Sequence, residues 1–361
     1  MGKRRYITFN YPNAGTNSET LLTGIRSDKN NKKKVYISGF YKFSINDRKL
    51  ADSCGAEIYK LDGNITSFVY HGKLSKSNST HKAKGKFYNL SYPSSSSLGR
   101  TVTATSLYGP NNFVCRGNNN IQVVGNYITL EAGSTSPIGC LYEGKLDGSG
   151  KWVTIIPPGS INTIVHSTMG GLAVGNYISS GEVFSKAFIY NIKTEEYIDI
   201  NLGFSVKSLT AYGIWLNSPK DNCCPYRYTI AGGFSRINSL PGTGEGYIID
   251  WNNKTKTFSN FASFIYTPSS GDNSKTLITH FNGITSNGCG GYNLTGDQVS
   301  LGSVDELGFY ARIKNGKVKW EDIHYPGSVI TSGNSVDKKN VIGVYKNSGS
   351  DQVNGYISYV K

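Results

Sequence analysis

One phrase recurs six times along the 361 residues and constrains the fold more than any other feature of the sequence. Each copy holds short β-rich runs bounded by Gly, Ser or Asn, the pattern of antiparallel strands joined by hairpins. The phrase is clearest at residues 155–192, where a Pro-Gly turn precedes the runs IVHST, LAVGNY and AFIY. Repeats of roughly 40–60 residues with four strands each are typical of a β-propeller. The sequence therefore predicts an all-β chain that folds as a single six-bladed propeller of four-stranded blades over residues 1–361.

The sixth copy ends one strand short, and the missing strand is predicted at the other end of the chain. Residues 5–12, RYITFNYP, match the runs that end other copies, such as IHYP at 323–326. An N-terminal strand that closes the last blade would remove an open sheet edge. We expect blades at about residues 13–74, 87–157, 158–202, 203–267, 268–326, and 327–361 completed by 5–12. Two packed β-sandwiches would also show short strands, but they would not explain six copies of one phrase.

Composition supports strands and turns over helices. Only 17% of the residues are charged, while Gly at 43 and Tyr at 25 are abundant, and these types suit turns and pleated surfaces. No apolar run approaches the roughly 20 residues that span a bilayer. The N-terminus begins with basic residues but has no apolar segment behind them, so we predict neither a signal peptide nor a transmembrane segment in this chain.

The net charge of +14 is concentrated in the first 100 residues, which hold 18 Lys and Arg against 6 Asp and Glu. Candidate anion-binding residues form two clusters, Lys32, Lys33, Lys34 and Lys82, Lys84, Lys86. The first cluster is predicted between two strands of the first blade, and the second in a loop after its outer strand. That placement puts them on opposite faces, where they would attract an extended polyanion diffusely. The alternative is a solvated lysine surface without a partner.

The first strand of each predicted blade should line a central channel. Aligning the copies places six residues at one equivalent position: Thr23, Thr105, His166, Tyr212, Asn282 and Asn334. Because side chains alternate along a strand, His280 should face inward as well. This ring of hydroxyls, amides and imidazoles predicts a site for a small polar ligand or an ion. A water-filled channel without a ligand is the alternative.

The sequence offers little support for catalysis. No carboxylate occupies the aligned channel positions, so nothing there would orient His166 or His280 as a base. The six cysteines lack paired C-x-x-C spacing, and neither H-E-x-x-H nor a P-loop occurs, so no metal or cofactor site is predicted. We therefore expect a non-enzymatic surface, structural or recognition module. The rival is a glycan-active hydrolase or lyase at the channel mouth, which would need two carboxylates facing one pocket.

The repeated order of a Pro-Gly turn followed by Gly-x-Tyr resembles the HAF-type repeats of bacterial extracellular or surface proteins. The best matches are residues 157–160 with 174–177 and residues 325–328 with 342–345. The fifth copy departs from the pattern, with Gly296-Asp297 where Gly-x-Tyr is expected. The resemblance implies a propeller at an extracellular or virion surface, and it implies no activity. As a recognition module, the chain would bind a protein or glycan partner.

Overall fold

A computed structural model describes residues 5–12, 19–42, 65–74, 84–94, 101–111, 120–130, 136–217, 226–268, 271–288, 290–302 and 306–360. Regular structure in these ranges consists of strands alone, so the chain is all-β. The described residues contain no helix long and apolar enough to cross a membrane. Lys82, one of the predicted anion-binding residues, lies outside the described ranges.

The described residues form 25 strands. They are β1 (Arg5–Thr8), β2 (Glu19–Ser27), β3 (Val35–Lys42), β4 (Ile65–Lys73), β5 (Lys84–Asn89), β6 (Val102–Asn111), β7 (Ile121–Thr129), β8 (Ile138–Gly144), β9 (Lys151–Ile155), β10 (Ser160–Met169), β11 (Leu172–Ser179), β12 (Lys186–Asn191), β13 (Glu196–Asp199), β14 (Val206–Leu209), β15 (Gly213–Leu216), β16 (Arg227–Arg236), β17 (Glu245–Asn252), β18 (Thr257–Phe264), β19 (Thr276–Ser286), β20 (Tyr292–Ser300), β21 (Leu307–Lys314), β22 (Lys317–Ile323), β23 (Ser328–Asp337), β24 (Asn340–Asn347) and β25 (Val353–Tyr359).

Antiparallel pairing divides the strands into consecutive groups. They are β2–β5, β6–β9, β10–β13, β14–β18, β19–β22, and β23–β25 with β1. In the fourth group β14 and β15 both pair with β16, so together they take the place of one strand. The result is a propeller-like all-β fold, in which each group repeats the same antiparallel meander.

Neighbouring groups meet through their first strands. The contacts run in order around the molecule: Thr23 Oγ1 to Leu107 O at 2.6 Å, Gly109 against Ser167, Leu216 N to Met169 Sδ at 3.2 Å, Gly213 against Ile284, Asn282 Nδ2 to Gly333 O at 3.2 Å, and Asn334 Nδ2 to Leu22 O at 2.7 Å. The last of these contacts returns to the first group. The first strands therefore surround a common centre.

The N-terminal strand completes the last group, which confirms the predicted pairing of the chain's two ends. In β1, Arg5 lies opposite Tyr359 and Thr8 opposite Tyr356. The chain then continues inward, and Phe9 N–H donates to Gly355 O at 2.8 Å. Phe9 is buried in an apolar cluster that it shares with residues of the first group. The N-terminal segment thus joins the last group to the first.

The first group differs from its predicted layout. The strand that ends just before residue 74, the predicted boundary of the first blade, is β4, which is the third strand and not the outer one. The outer strand is β5, where Lys84 pairs with Lys73 across a hairpin. The sequence interpretation placed β5 in a loop because its polar lysines hide the strand pattern. The group therefore extends to about residue 89, beyond the boundary predicted at 74.

The Gly of the repeated Gly-x-Tyr motif marks a close approach between the first two strands of each group. A Cβ added at the equivalent glycines would lie 1.8–2.4 Å from a carbonyl oxygen of the first strand: Gly39, Gly125, Gly175, Gly232, Gly296 and Gly343. No real Cβ tolerates that distance to backbone, so these positions require Gly. The repeat in the sequence therefore has a packing cause.

Candidate functional site

Each first strand carries a β-bulge at the same level of the centre, where one extra residue turns inward. The bulge residues are Thr23, Tyr108, His166, Tyr212, Asn282 and Asn334. Five of them match the aligned positions of the sequence analysis. The sixth does not, because Tyr108 occupies the place assigned to Thr105.

Thr105 belongs to a different repeated feature. Its Oγ1 accepts the backbone N–H of Tyr92 at 3.0 Å, at the turn that leads into β6. The hydroxyls of Thr20, Thr279 and Thr331 hold the equivalent N–H groups in three other groups. Thr105 is therefore a structural hydrogen-bond partner. The alignment chose Thr105 because a Ser follows it, as Ser167 follows His166. The bulge residue is instead Tyr108, which precedes a Gly as Thr23 and Asn282 do.

Aromatic rings fill the centre at the level of the bulges. His166 stacks on Tyr212 with ring centroids 3.6 Å apart, and Tyr108 and His280 extend the contact on either side at 5.1 and 4.4 Å. The cavity lined by Thr23, His166, Tyr212 and Asn282 has a volume of about 10 Å³. That space suits about one water molecule. A small organic ligand does not fit at this level, and an ion site there stays a prediction.

The two central histidines are held as neutral side chains. His166 Nε2 lies 2.7 Å from Asn176 Oδ1, and His280 lies between Thr210 Oγ1 at 2.7 Å and Asn282 Oδ1 at 2.6 Å. Burial lowers the pKa of His166 to about 3 and that of His280 to about 4. Neither imidazole carries a positive charge near neutral pH, so the centre does not attract anions through its histidines.

A carboxyl group missed by the sequence analysis completes this network. Asp297 accepts the N–H of Gly333 at 2.8 Å and a hydrogen bond from Asn282 Nδ2, which links it to His280. Asp297 stands at the x position of Gly-x-Tyr in β20, where the fifth copy departs from the motif. In the sequence, only this departure from the repeat indicated that a carboxyl group lies at the centre.

Asp297 forms a carboxyl pair with Glu306. Burial raises the pKa of Asp297 well above its ordinary value, and the neighbouring charge of Glu306 and a hydrogen bond to it raise that pKa further. Asp297 is 9% exposed, while Glu306 is exposed at the start of β21. A carboxyl with a raised pKa beside a second carboxyl is the arrangement used for general acid and base catalysis.

Arg26 closes the opposite end of the centre. Its guanidinium crosses from the first group to donate to Ile214 O and Ile284 O, each at 3.1 Å, in the fourth and fifth groups. It also lies over the ring of Trp215, 5.2 Å from the centroid. Burial lowers the pKa of Arg26, and the Asp337 carboxylate opposes that shift. Arg26 and Asp297 therefore lie on opposite sides of the level of the bulge residues.

The buried histidines should make stability depend on pH. In the unfolded chain both bind a proton below about pH 6.5, whereas in the folded chain His166 stays neutral to about pH 3. Acidification therefore destabilises the fold by up to about 1.4 kcal/mol per pH unit for each such histidine. Asp297, whose folded pKa is raised, has the opposite effect. We expect His166→Phe to reduce the loss of unfolding free energy between pH 7 and 4.5 by the contribution of one histidine. Urea unfolding at several pH values in this range measures it.

The exposed His324 offers the matched control for that experiment. His324→Gln should follow the wild-type pH dependence. If His166→Phe also followed it, the proposed neutral state of His166 in the folded protein would be wrong.

A larger groove lies between the third and fourth groups. It has a volume of about 660 Å³ and is formed by the connection from β11 to β12 and the connection from β13 to β14. Phe184 and Phe204 line it and remain 44% and 38% exposed, and Val183 beside them is 78% exposed. The groove opens on the face of the molecule opposite Arg26, because the strands of a meander turn at alternate edges.

Polar groups stand among the rings of this groove. Lys186 forms an ion pair with Glu182 at 2.9 Å, and Asp199 accepts the hydroxyl of Tyr177 at 2.9 Å. Lys207 Nζ lies over the ring of Phe184, 4.8 Å from its centroid. Exposed aromatic side chains next to hydrogen-bond donors and acceptors can bind a ligand that has both apolar surface and hydroxyl groups.

The described lysines among those predicted to bind anions lie on one face, which corrects the predicted placement of the two clusters on opposite faces. Lys32 to Lys34 precede β3, and Lys84 and Lys86 lie in β5 at the same edge of the first group. The reason is the reassigned outer strand, because a hairpin between the third and fourth strands turns at the same edge as the one between the first and second. These lysines are apart from the centre and from the groove.

The described residues hold no group of three His, Cys, Asp or Glu side chains that could bind a metal ion. Cys140, in β8, is a free buried thiol, and burial raises its pKa.

Comparison with known proteins finds similarity in structure and not in sequence. No family model matches this chain, and no curated protein matches it. An α-L-arabinofuranosidase of Fusarium graminearum, solved with arabinobiose, superposes with a TM-score of 0.50 at 10% identity over 99% of this chain and 97% of that one. The likeness shows the fold. Less similar are an α-L-arabinanase of Penicillium chrysogenum (TM-score 0.48, 12% identity, 98% and 97% covered) and the hemagglutinin-neuraminidase ectodomain of parainfluenza virus 5 (0.49, 11%, 98% and 84%).

Proposed function

We propose that the chain is a six-bladed propeller of four-stranded blades that recognises carbohydrate in the groove between its third and fourth blades. The blade count rests on the six strand groups and on the contacts that lead from the last group back to the first. The groove carries the functional part of the proposal. Its volume of about 660 Å³ fits a ligand of mono- to disaccharide size.

The chemistry of the groove favours a sugar over an apolar ligand. A sugar ring presents C–H groups on its faces and hydroxyls around its rim. Phe184 and Phe204 offer partly exposed apolar ring surface for the C–H groups, while Glu182, Asp199 and Lys186 offer acceptors and donors for the hydroxyls. A wholly apolar ligand would displace water from these polar groups without replacing the hydrogen bonds that the water makes.

A glycan array probed with the intact chain tests this function. We expect retention of at least one oligosaccharide, with arabinobiose as the first probe to titrate in solution. Replacing both rings, Phe184→Ala with Phe204→Ala, should weaken that binding about tenfold or more. Leu240→Ala, a truncation of a 76% exposed side chain outside the groove, is the control and should bind like the wild type. Binding to no glycan, or equal binding by the double variant, would contradict the groove as the site.

A second candidate is a glycan-active enzyme at the Asp297 end of the centre. The carboxyl pair of Asp297 and Glu306 favours it, since a carboxyl with a raised pKa beside a second carboxyl is the pairing used for an acid and a base or nucleophile. Incubating the chain with the retained glycan and measuring released reducing ends separates the two functions. Release that Asp297→Asn abolishes, with binding kept, would favour the enzyme. Binding without release would favour the recognition module.

A further inference from the structure

We propose that a lysine face on the first group binds an acidic polysaccharide. The lysine face consists of Lys32, Lys33, Lys34, Lys73, Lys84 and Lys86. Five of these side chains are exposed, and Lys34 is half-buried. In the pairing of β3 with β4, Val35 lies opposite Gly72, next to Lys73. The end of one loop and both sides of a hairpin thus bring six positive charges to one edge of one sheet.

The positive charges of this face repel one another. Lys73 and Lys84 lie directly opposite each other on β4 and β5, an arrangement that destabilises a sheet. Among the residues that the structure describes, no carboxylate forms an ion pair with any of the six lysines. A bound polyanion would relieve the repulsion.

The loop that carries three of these lysines is fixed in shape. Asp28 Oδ1 accepts the N–H groups of Asn30 and Asn31 at 2.8 and 3.3 Å. Its other oxygen lies 2.8 Å from His71 Nε2 on β4, and the His71 ring stacks on Tyr36 at 4.3 Å. These contacts hold the loop against the neighbouring strands. The loop therefore loses little conformational freedom when a partner binds.

The composition of the face favours an acidic polysaccharide over nucleic acid. Arginine forks and exposed aromatic faces are the usual means of binding phosphates and stacking bases. Every cation of the lysine face is a Lys, and Lys86 Nζ covers the ring of Tyr88 at 4.9 Å from its centroid. Point charges spread along an edge, without a stacking ring, match the sulfates and carboxylates spaced along a sugar chain.

Heparin titrations test the proposal. At low salt we expect Lys34→Glu, Lys73→Glu and Lys84→Glu together to lower heparin affinity at least about tenfold, and wild-type affinity to fall steeply from about 50 to 300 mM NaCl. The control is Lys254→Glu, Lys275→Glu and Lys317→Glu, which changes the net charge equally at exposed lysines of other groups. It should change affinity by less than about threefold. Phe184→Ala with Phe204→Ala should leave heparin binding unchanged, which separates the lysine face from the groove.

Three outcomes would overturn the proposal. Equal loss in both triple variants would mean that heparin responds to net charge and not to this face. A flat response to salt would exclude binding by charge. A duplex DNA of about 30 base pairs could also be titrated. If it bound as tightly as heparin, and if the triple variant of the lysine face lost that binding, the face would be assigned to nucleic acid.

Discussion

Removing residues 1–12 should destabilise the protein more than any single substitution. The deletion exposes the edge of β25, which β1 covers from Arg5 to Thr8, and removes Phe9 and Tyr11 from their aromatic contacts. Loss of one buried Phe alone typically costs about 3–5 kcal/mol. We expect the free energy of unfolding to fall by more than that, with a lower thermal midpoint, measured by circular dichroism.

A peptide control distinguishes a missing strand from general damage. Adding the synthetic peptide of residues 1–12 to the truncated chain should raise its thermal midpoint, because the open edge accepts a strand. A scrambled peptide should not. An unchanged midpoint after truncation would contradict the role of this segment in joining the last group to the first.

Arg26→Met should produce the largest loss among single substitutions. The change leaves the buried carbonyls of Ile214 and Ile284 without their donor and removes the positive charge that attracts the buried Asp337 carboxylate. Each buried carbonyl left without a donor costs about 1–3 kcal/mol. Chemical unfolding should show that loss as a lower denaturant midpoint with an unchanged slope.

The double variant Arg26→Met with Asp337→Asn tests the reason for that loss. Removing the second charge should recover part of the stability, because the uncompensated carboxylate disappears. Arg236→Met, which breaks an exposed pair with Glu245, is the matched control and should cost about 1 kcal/mol or less. If the two Arg→Met variants behaved alike, the contacts of Arg26 across the centre would contribute little.

The repeat made much of the fold predictable. Each copy needs a Gly where the first two strands approach closely, and each has an inward-facing residue at the bulge. Both positions can therefore be found by aligning the copies. The pairing of the N-terminal strand with the last group followed from the match of one run to the ends of the other copies. The resemblance to HAF-type repeats stays a prediction.

What the sequence did not reveal depends on contacts between distant segments. The contacts of Arg26 lie about 190 and 260 residues away along the chain, so no local pattern marks it. The lysines of β5 concealed a strand, because exposed edge strands tolerate polar residues on both sides. Asp297 was visible only as an irregular residue inside a repeat. Irregular positions of this kind are where function tends to depart from packing rules.

The pairing of Arg5 with Tyr359 brings the two ends of the described chain side by side, within about 6 Å of each other at their Cα atoms. A linker of a few residues could join them, and new ends could be opened at another connection, such as residues 156–159 between the second and third groups. Circular permutation would then move the break from one group to the next and keep every strand pairing. The order in which the groups are synthesised is therefore separable from the structure that they form.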